Sequence, residues 1–202
     1  NLKQMLYRKE DFARACALYQ EWNSKINVVS RKDVDNLFEH HFLHSLSILE
    51  YLKSQGRPID GLKILDVGTG GGFPGVPLAM SMPSCQFTLC DSIKKKVLVA
   101  QSISEELGLK NVKCVNARAE TLDGIYDYVV SRAVTSLANF YPWVKGKYSK
   151  SILYLKGGDV SSEIEELCKK FHLDYSKINV WPVSQWLDDE YFNEKFVIEI
   201  RK

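Results

Sequence analysis

Leu65-Asp66-Val67-Gly68-Thr69-Gly70-Gly71-Gly72-Phe73-Pro74-Gly75 is the stretch from which the rest of the chain is read. Ile64 and Leu65 close an apolar burst of the kind that ends a buried strand. Val76-Pro77-Leu78-Ala79-Met80 then reads as the first turns of a helix, where proline is tolerated. Glycines at a strand-to-helix turn admit positive φ and let a ligand approach a backbone that carries no Cβ. Open amides and a helix N-terminus favour anionic or polar ligand groups. The segment therefore reads as a site for a nucleotide-like ligand.

Two ligands compete for it, and a purely structural turn is the third reading. Gly70-x-Gly72-x-x-Gly75 matches the dinucleotide fingerprint, with Asp91 near the acidic position downstream. In a dinucleotide site, however, the glycines begin directly at the strand end. Here Asp66 and Gly68-Thr69 come first, and Pro74 stiffens the turn. Strand-Asp-x-Gly-x-Gly-x-Gly is similar to the first motif of class I methyltransferases, which bind S-adenosylmethionine. That ligand has no pyrophosphate and a zwitterionic amino-acid end. On this reading Asp66 receives its ammonium, while Gly68 and Gly70 make room for it.

The 202 residues suit one compact α/β domain with a sizeable core, and 45% apolar residues argue against disorder. The longest apolar runs fall short of a membrane span, and no signal-peptide core opens the chain. Since it begins at Asn1, an initiator residue and a short tail are expected ahead of it. Cys16, Cys85, Cys90, Cys114 and Cys168 are scattered and form no metal-spaced pair. They read as free thiols of a cytoplasmic protein. A net charge of +2 neither demands nor excludes nucleic acid.

Residues 1–60 read as a helical N-terminal extension and 61–202 as the ligand-binding core, together one domain. Phe12, Ala15, Leu18, Tyr19 and Trp22 recur at helical spacing, as do Leu37, His41, His44 and Ile48. Gln55-Gly56-Arg57-Pro58 is the turn between the two parts. Strands are expected at Lys63–Val67, Gln86–Cys90, Val112–Val115, Tyr126–Ser131 and Ser151–Leu155. Helices are expected at Lys94–Leu107, Thr135–Lys145 and Ser161–Phe171. This alternation predicts a doubly wound, mostly parallel sheet. Ile178–Trp181 and Phe196–Ile200 have no good helix between them and predict a hairpin closing the sheet, with an antiparallel last strand.

Each strand end then offers a candidate. Asp91 and Ser92 end the second strand, where a carboxylate accepts hydrogen bonds from ribose hydroxyls or caps the following helix. Ala119 and Glu120 follow the third strand; spacing alone favours an ordinary charged turn there, and backbone contact with an adenine edge is the other reading. Ser131-Arg132-Ala133 follows the fourth, and Lys156-Gly157-Gly158 the fifth, each bringing a cation to the crevice. Arg132 and Lys156 are the catalytic candidates. No Asn-Pro-Pro-Tyr or Asp-Pro-Pro-Tyr follows the fourth strand, and there is no Pro-Cys pair. The chemistry of exocyclic amines and pyrimidine carbons thus lacks its usual tools. A guanine N7 needs neither, because it carries an in-plane lone pair and no proton. His40, His41 and His44 have near-ligand spacing but no Cys beside them, so packing or RNA contact is expected rather than metal. Two basic runs, Lys94-Lys95-Lys96 and Lys145/Lys147/Lys150, are candidates for RNA. The second is favoured because it sits among Tyr141, Trp143 and Tyr148.

With these residues in hand, the chain resembles the bacterial 16S (small-subunit) ribosomal RNA guanine-N7 methyltransferase family, also called glucose-inhibited division protein B. The matching segments run in order along most of the chain. They are Trp22-Asn23-x-Lys25-Ile26-Asn27, His41-Phe42-Leu43-x-Ser45-Leu46, Leu65 to Gly75, Thr88-Leu89-x-Asp91-Ser92, Ala117-Arg118-Ala119-Glu120, Ser131-Arg132-Ala133 and Leu155-Lys156-Gly157. The resemblance implies a class I, Rossmann-like methyltransferase sheet and S-adenosylmethionine as cofactor, with contacts at Gly68, Phe73, Ala119, Glu120 and Arg132 and Asp91 at the ribose. It also implies small-subunit ribosomal RNA or its ribonucleoprotein particle as partner; a cytoplasmic monomer is expected. His44 stands where the family usually has Asp. A non-catalytic RNA-binding module of the same fold and a nicotinamide oxidoreductase are the rival readings.

Overall fold

Strand alternation sorts the apolar residues onto two faces of one sheet. The computed structural model describes residues 7–132 and 134–202, so the expectations for residues 1–6 and for Ala133 lie outside the described residues. Seven strands are found among them: β1 (Lys63–Val67), β2 (Gln86–Asp91), β3 (Val112–Asn116), β4 (Tyr126–Arg132), β5 (Tyr148–Gly157), β6 (Ile178–Pro182) and β7 (Lys195–Arg201). They form a single sheet in the order β3-β2-β1-β4-β5-β7-β6. The first five pair in parallel, whereas β7 pairs antiparallel with both β5 and β6. This is the mostly parallel sheet with a closing hairpin that the alternation predicts.

Six α-helices flank it among the described residues: α1 (Ala13–Asn23), α2 (Leu43–Ser54), α3 (Gly75–Ser81), α4 (Lys94–Glu106), α5 (Leu137–Val144) and α6 (Val160–Phe171). Ile64, Phe87, Leu89, Tyr128, Val130 and Leu153 face the side covered by α1–α4. Leu65, Val67, Cys90, Val129, Ile152 and Tyr154 face α5 and α6. Central parallel strands buried on both faces read as continuous apolar runs, which is why they were legible. Phe12 and Tyr19 of the extension share one continuous core with Phe73 and Phe87.

Two elements differ from expectation for local reasons. Helix α5 starts after Ser136, whose hydroxyl accepts from the Asn139 amide at 3.2 Å and fixes the N-cap. The stretch Leu37–Phe42 is a π-helical turn ahead of α2 rather than regular helix. The wider turn lets consecutive residues point inward: His40 stacks on Tyr191 at 3.6 Å and His41 reaches Arg132.

The extension is pinned to the sheet by one carboxylate. Glu199, fully buried on β7, accepts from Tyr51 Oη at 2.8 Å, Ser151 Oγ at 2.6 Å and Arg57 Nη2 at 2.7 Å. Burial raises the Glu199 pKa, but the Arg57, Ser151 and Tyr51 hydrogen bonds outweigh it and hold the group below its ordinary value.

Candidate active site

The turns following β1, β2 and β3 meet the segment after β4 around a cleft of about 410 Å³, within the roughly 300–1,000 Å³ of small-molecule sites. Six of the residues expected at a cofactor line it: Gly68, Gly70, Asp91, Ser92, Ala119 and Glu120. Asp91 is set by the backbone. Its Oδ2 accepts from the Gly70 amide and its Oδ1 from the Ile93 amide, each at 2.8 Å. Each oxygen keeps a lone pair for a ligand hydroxyl, so capping and ribose binding are compatible. Ala119 opens a short 3₁₀ turn, Ala119–Thr121, that forms the opposite wall.

The glycine-rich loop distinguishes between the two ligands of the sequence reading. The amides of Gly68, Thr69, Gly72 and Phe73 donate to the Cys90 and Thr69 carbonyls, and those of Gly70 and Gly75 to Asp91 and Asp66. A pyrophosphate cradle needs such amides free, and here they are spent on the end of β2, on Asp66 and within the loop. Only part of the loop opens to a ligand. A Cβ at Gly70, where φ is +59°, would meet nothing within 4 Å. At Gly72 it would stand 2.5 Å from the Tyr19 hydroxyl, which itself donates to the Gly71 carbonyl at 2.8 Å. That glycine serves the docking of α1 rather than a ligand.

Three expected residues lie behind the loop instead of in the cleft. Asp66 is sealed from solvent; its Oδ2 accepts from Thr69 Oγ1 at 2.7 Å and from the Gly75 amide at 2.8 Å, while its buried Oδ1 has no hydrogen-bond partner among the described residues. Burial pushes its carboxyl up to about 8, against the pull of those two bonds and of the Arg132 charge. Direct capture of a ligand ammonium by Asp66 is therefore not what this geometry offers: the side chain holds the loop from below. Phe73 is 2% exposed and packs among Tyr19, His41 and Phe42, so its ring is a platform and not a cleft wall.

Arg132 stands over that platform, its guanidinium carbon 5.0 Å from the Phe73 ring centre. Its Nη1 donates to His41 Nδ1 at 2.9 Å. Burial pushes the His41 imidazole down to about 3, and the Arg132 charge adds to the effect, so the ring is a neutral acceptor at physiological pH. Burial also lowers the Arg132 pKa, opposed by nearby Tyr191 and Asp66. No carboxylate forms an ion pair with this arginine among the described residues, and its other N–H groups are not sealed from solvent. His44 is buried against Phe192 and brings no charge to it. The three histidines are thus used in packing and in holding Arg132.

Lys156 is also placed differently from expectation. Its ammonium lies 3.1 Å from Glu163 Oε2 and donates to the Thr135 carbonyl at 3.3 Å, while Glu163 Oε1 accepts from the Leu137 amide at 3.1 Å. Lys156 is not among the residues lining the cleft; the pair anchors the start of α5. The sequence reading missed Ile93, Lys96, Val134 and Trp143, which do line it. Ile93 and Val134 are 43% and 39% exposed, an apolar mouth suited to a flat base. An apolar residue directly after Asp91-Ser92 was the available signal for Ile93. The donor set fits S-adenosylmethionine: a preset carboxylate at the ribose position, apolar walls, an open glycine and no pyrophosphate cradle.

The chain matches the model of the family described as rRNA small subunit methyltransferase G over residues 8–186. It is 44% identical over 197 residues to ribosomal RNA small subunit methyltransferase G of Flavobacterium psychrophilum, covering 94% of this chain and 88% of that one. It is 46% identical over 195 residues to the protein of the same name from Christiangramia forsetii, covering 93% and 87%. Among solved structures, magnesium protoporphyrin IX methyltransferase of Synechocystis with bound S-adenosylmethionine superposes with a TM-score of 0.66 at 14% identity, over 95% of this chain and 94% of that one. A 16S rRNA N2 G1207 methyltransferase of Thermus thermophilus superposes with a TM-score of 0.58 at 17% identity, over 88% and 44%. These two show a shared class I methyltransferase fold.

Proposed function

The chain belongs to the rRNA small subunit methyltransferase G family, and from that premise we propose how its residues move a methyl group from S-adenosylmethionine to N7 of a guanine in small-subunit ribosomal RNA. The observation that carries the reading is the convergence of Gly68, Gly70, Asp91, Ala119 and Glu120 on one cleft at the carboxyl edge of the sheet. S-adenosylmethionine supplies a methyl group on a cationic sulfonium. Asp91 orients the ribose, the Ala119–Glu120 turn and Ile93 hold the base, and Gly70 leaves the floor open. Asp66 keeps the loop closed from beneath. The RNA or its ribonucleoprotein particle is the partner, and the enzyme acts as a cytoplasmic monomer.

Guanine N7 has no proton to lose, so the site needs alignment and electrostatics rather than a base. Methyl transfer delivers positive charge to the purine, so an arginine pressed against N7 would oppose it. Arg132 is half-buried beside a neutral histidine, with no carboxylate paired to it among the described residues. A partly desolvated cation with free N–H groups attracts a counter-charge. Arg132 therefore takes the cofactor's carboxylate or an RNA phosphate, and His41 and Phe73 fix its plane.

Label transfer from methyl-labelled cofactor into undermodified small-subunit RNA tests this. Arg132→Ala is expected to lower turnover about a hundredfold, the scale of a misplacement of roughly 1 Å. Arg132→Lys should restore only part, since a point charge lacks the planar fork. The rate profile of the wild type should show no required base titrating near neutrality. Full turnover by Arg132→Ala, or a rate governed by one side chain deprotonating near pH 7, would overturn the mechanism.

A further inference from the structure

Beside the cofactor cleft lies a second hollow of about 640 Å³, between the end of α1, the segment that follows it and the first turn of α4. Its lining includes Lys25, Arg31, Lys95 and Lys96 and not one carboxylate. Among the described residues none of these four cations is in an ion pair; Lys25 only crosses the Trp22 face at 5.4 Å. Gln20, Ser24 and Asn27 add neutral hydrogen-bonding groups. Lys96 borders this hollow and the cofactor cleft alike.

The hollow is held in shape by its own residues. Asn23 is buried, and its Oδ1 accepts from the Val28 and Val29 amides at 2.8 and 3.1 Å. This folds the segment after α1 back on itself. Val28 then packs directly over Gly71, where a Cβ would stand 2.7 Å from it. The cationic wall and the glycine loop are therefore in direct packing contact. On the far side of Lys25 the surface turns acidic, with Glu21, Glu105 and Glu106 around an adjoining hollow. A polyanion is thus attracted between α1 and α4 and turned away beyond them.

We propose that this hollow is the track for the substrate RNA backbone, with Lys25, Arg31 and Lys95 on successive phosphates of a single strand and Lys96 passing it to the cofactor cleft. The proposal rests on the reading of the protein as an RNA methyltransferase and adds where the strand lies. It replaces the expectation that Lys145, Lys147 and Lys150 bind RNA. Those residues flank the start of β5, at the sheet end opposite the cofactor cleft, and Lys147 donates to the Leu122 carbonyl. Trp143, expected to stack on RNA beside them, lines the cofactor cleft instead.

The test compares wild type with a Lys25→Ala, Arg31→Ala, Lys95→Ala triple variant and a Lys145→Ala, Lys150→Ala control. Fluorescence anisotropy reads binding of a short labelled single strand of unmodified small-subunit RNA between about 50 and 200 mM salt. The triple variant should bind roughly tenfold or more weakly. The slope of log affinity against log salt should shrink by about 2, at roughly 0.7 per single-strand phosphate. Its affinity for S-adenosylmethionine should match wild type while its KM for RNA rises, and the control should bind RNA as wild type does. Unchanged RNA affinity and slope in the triple variant, or an equal loss in the control, would overturn the track. So would unchanged binding of naked RNA combined with reduced methylation of the intact particle, which would assign the hollow to a ribosomal protein. Absence of methyl transfer by wild type would count against the functional reading and not the track, because the binding arm needs no turnover.

Discussion

Asp91 holds two backbone amides before any ligand arrives, and this makes its two roles separable by experiment. Asp91→Ala is expected to weaken S-adenosylmethionine binding by roughly 1–3 kcal/mol, the cost of leaving polar partners unmatched. Calorimetry reads the affinity and thermal unfolding reads the loss of the Gly70 and Ile93 bonds. A lowered Tm with unchanged affinity would leave Asp91 a cap and nothing more. Its position at the end of a strand placed it in the sequence, and it lines the cleft with Gly68, Gly70, Ser92, Ala119 and Glu120; Ala119 and Glu120 came from the family resemblance, since spacing alone favours an ordinary charged turn there. Asp66 and Phe73 sit in the same motif, yet the motif does not say which side chains face the ligand and which face the core. That depends on the loop's path over α1, set by Tyr19, some fifty positions away in the sequence. Lys156 illustrates the same limit: its strand-end position was legible and its ion pair with Glu163 was not.

At the level of elements, β7 is the piece whose sequence hides its importance. Glu199 is the one charge in the otherwise apolar run Phe196–Ile200, and Tyr51 of α2 and Arg57 cover it. Removing one partner from such a buried network costs about 3–5 kcal/mol. Glu199→Ala is accordingly expected to destabilise the fold by that amount in denaturant unfolding, with the N-terminal helices loosened first in hydrogen exchange. Its pH dependence has a definite sign. The folded-state carboxyl titrates below its ordinary 4.5, so the unfolded chain takes up the proton first as pH falls. The stability it contributes is present above about pH 4.5 and is lost below it. Glu199→Gln should lack that acid-side component; a parallel decline in wild type and variant would place the network elsewhere. The strands themselves were legible because both faces of a parallel sheet are apolar. The π-turn at Leu37–Phe42 was not, since the apolar period of a helix is nearly the same with one widened turn.

Across the whole molecule, the N-terminal extension is part of the active site's construction. Its Tyr19 and Val28 pack on the glycine loop, its His41 holds Arg132, and its Lys25 and Arg31 wall the cationic hollow. The core sheet alone would leave Arg132 on the Phe73 ring without its hydrogen bond to His41. No helix among the described residues is long and apolar enough to cross a membrane. The order of motifs along the chain was sufficient to reach the fold and the cofactor. A lysine run gives charge without saying which end of the sheet it occupies, so the sequence alone does not choose between the two basic runs as an RNA surface. The central claim is that the methyl group arrives on guanine N7 without help from a base. Its most direct test is nucleoside mass spectrometry of undermodified small-subunit RNA after incubation with the protein and methyl-labelled S-adenosylmethionine. Label is expected in 7-methylguanosine alone; label in 2-methylguanosine or in any other nucleoside would mean that N7 is not the acceptor.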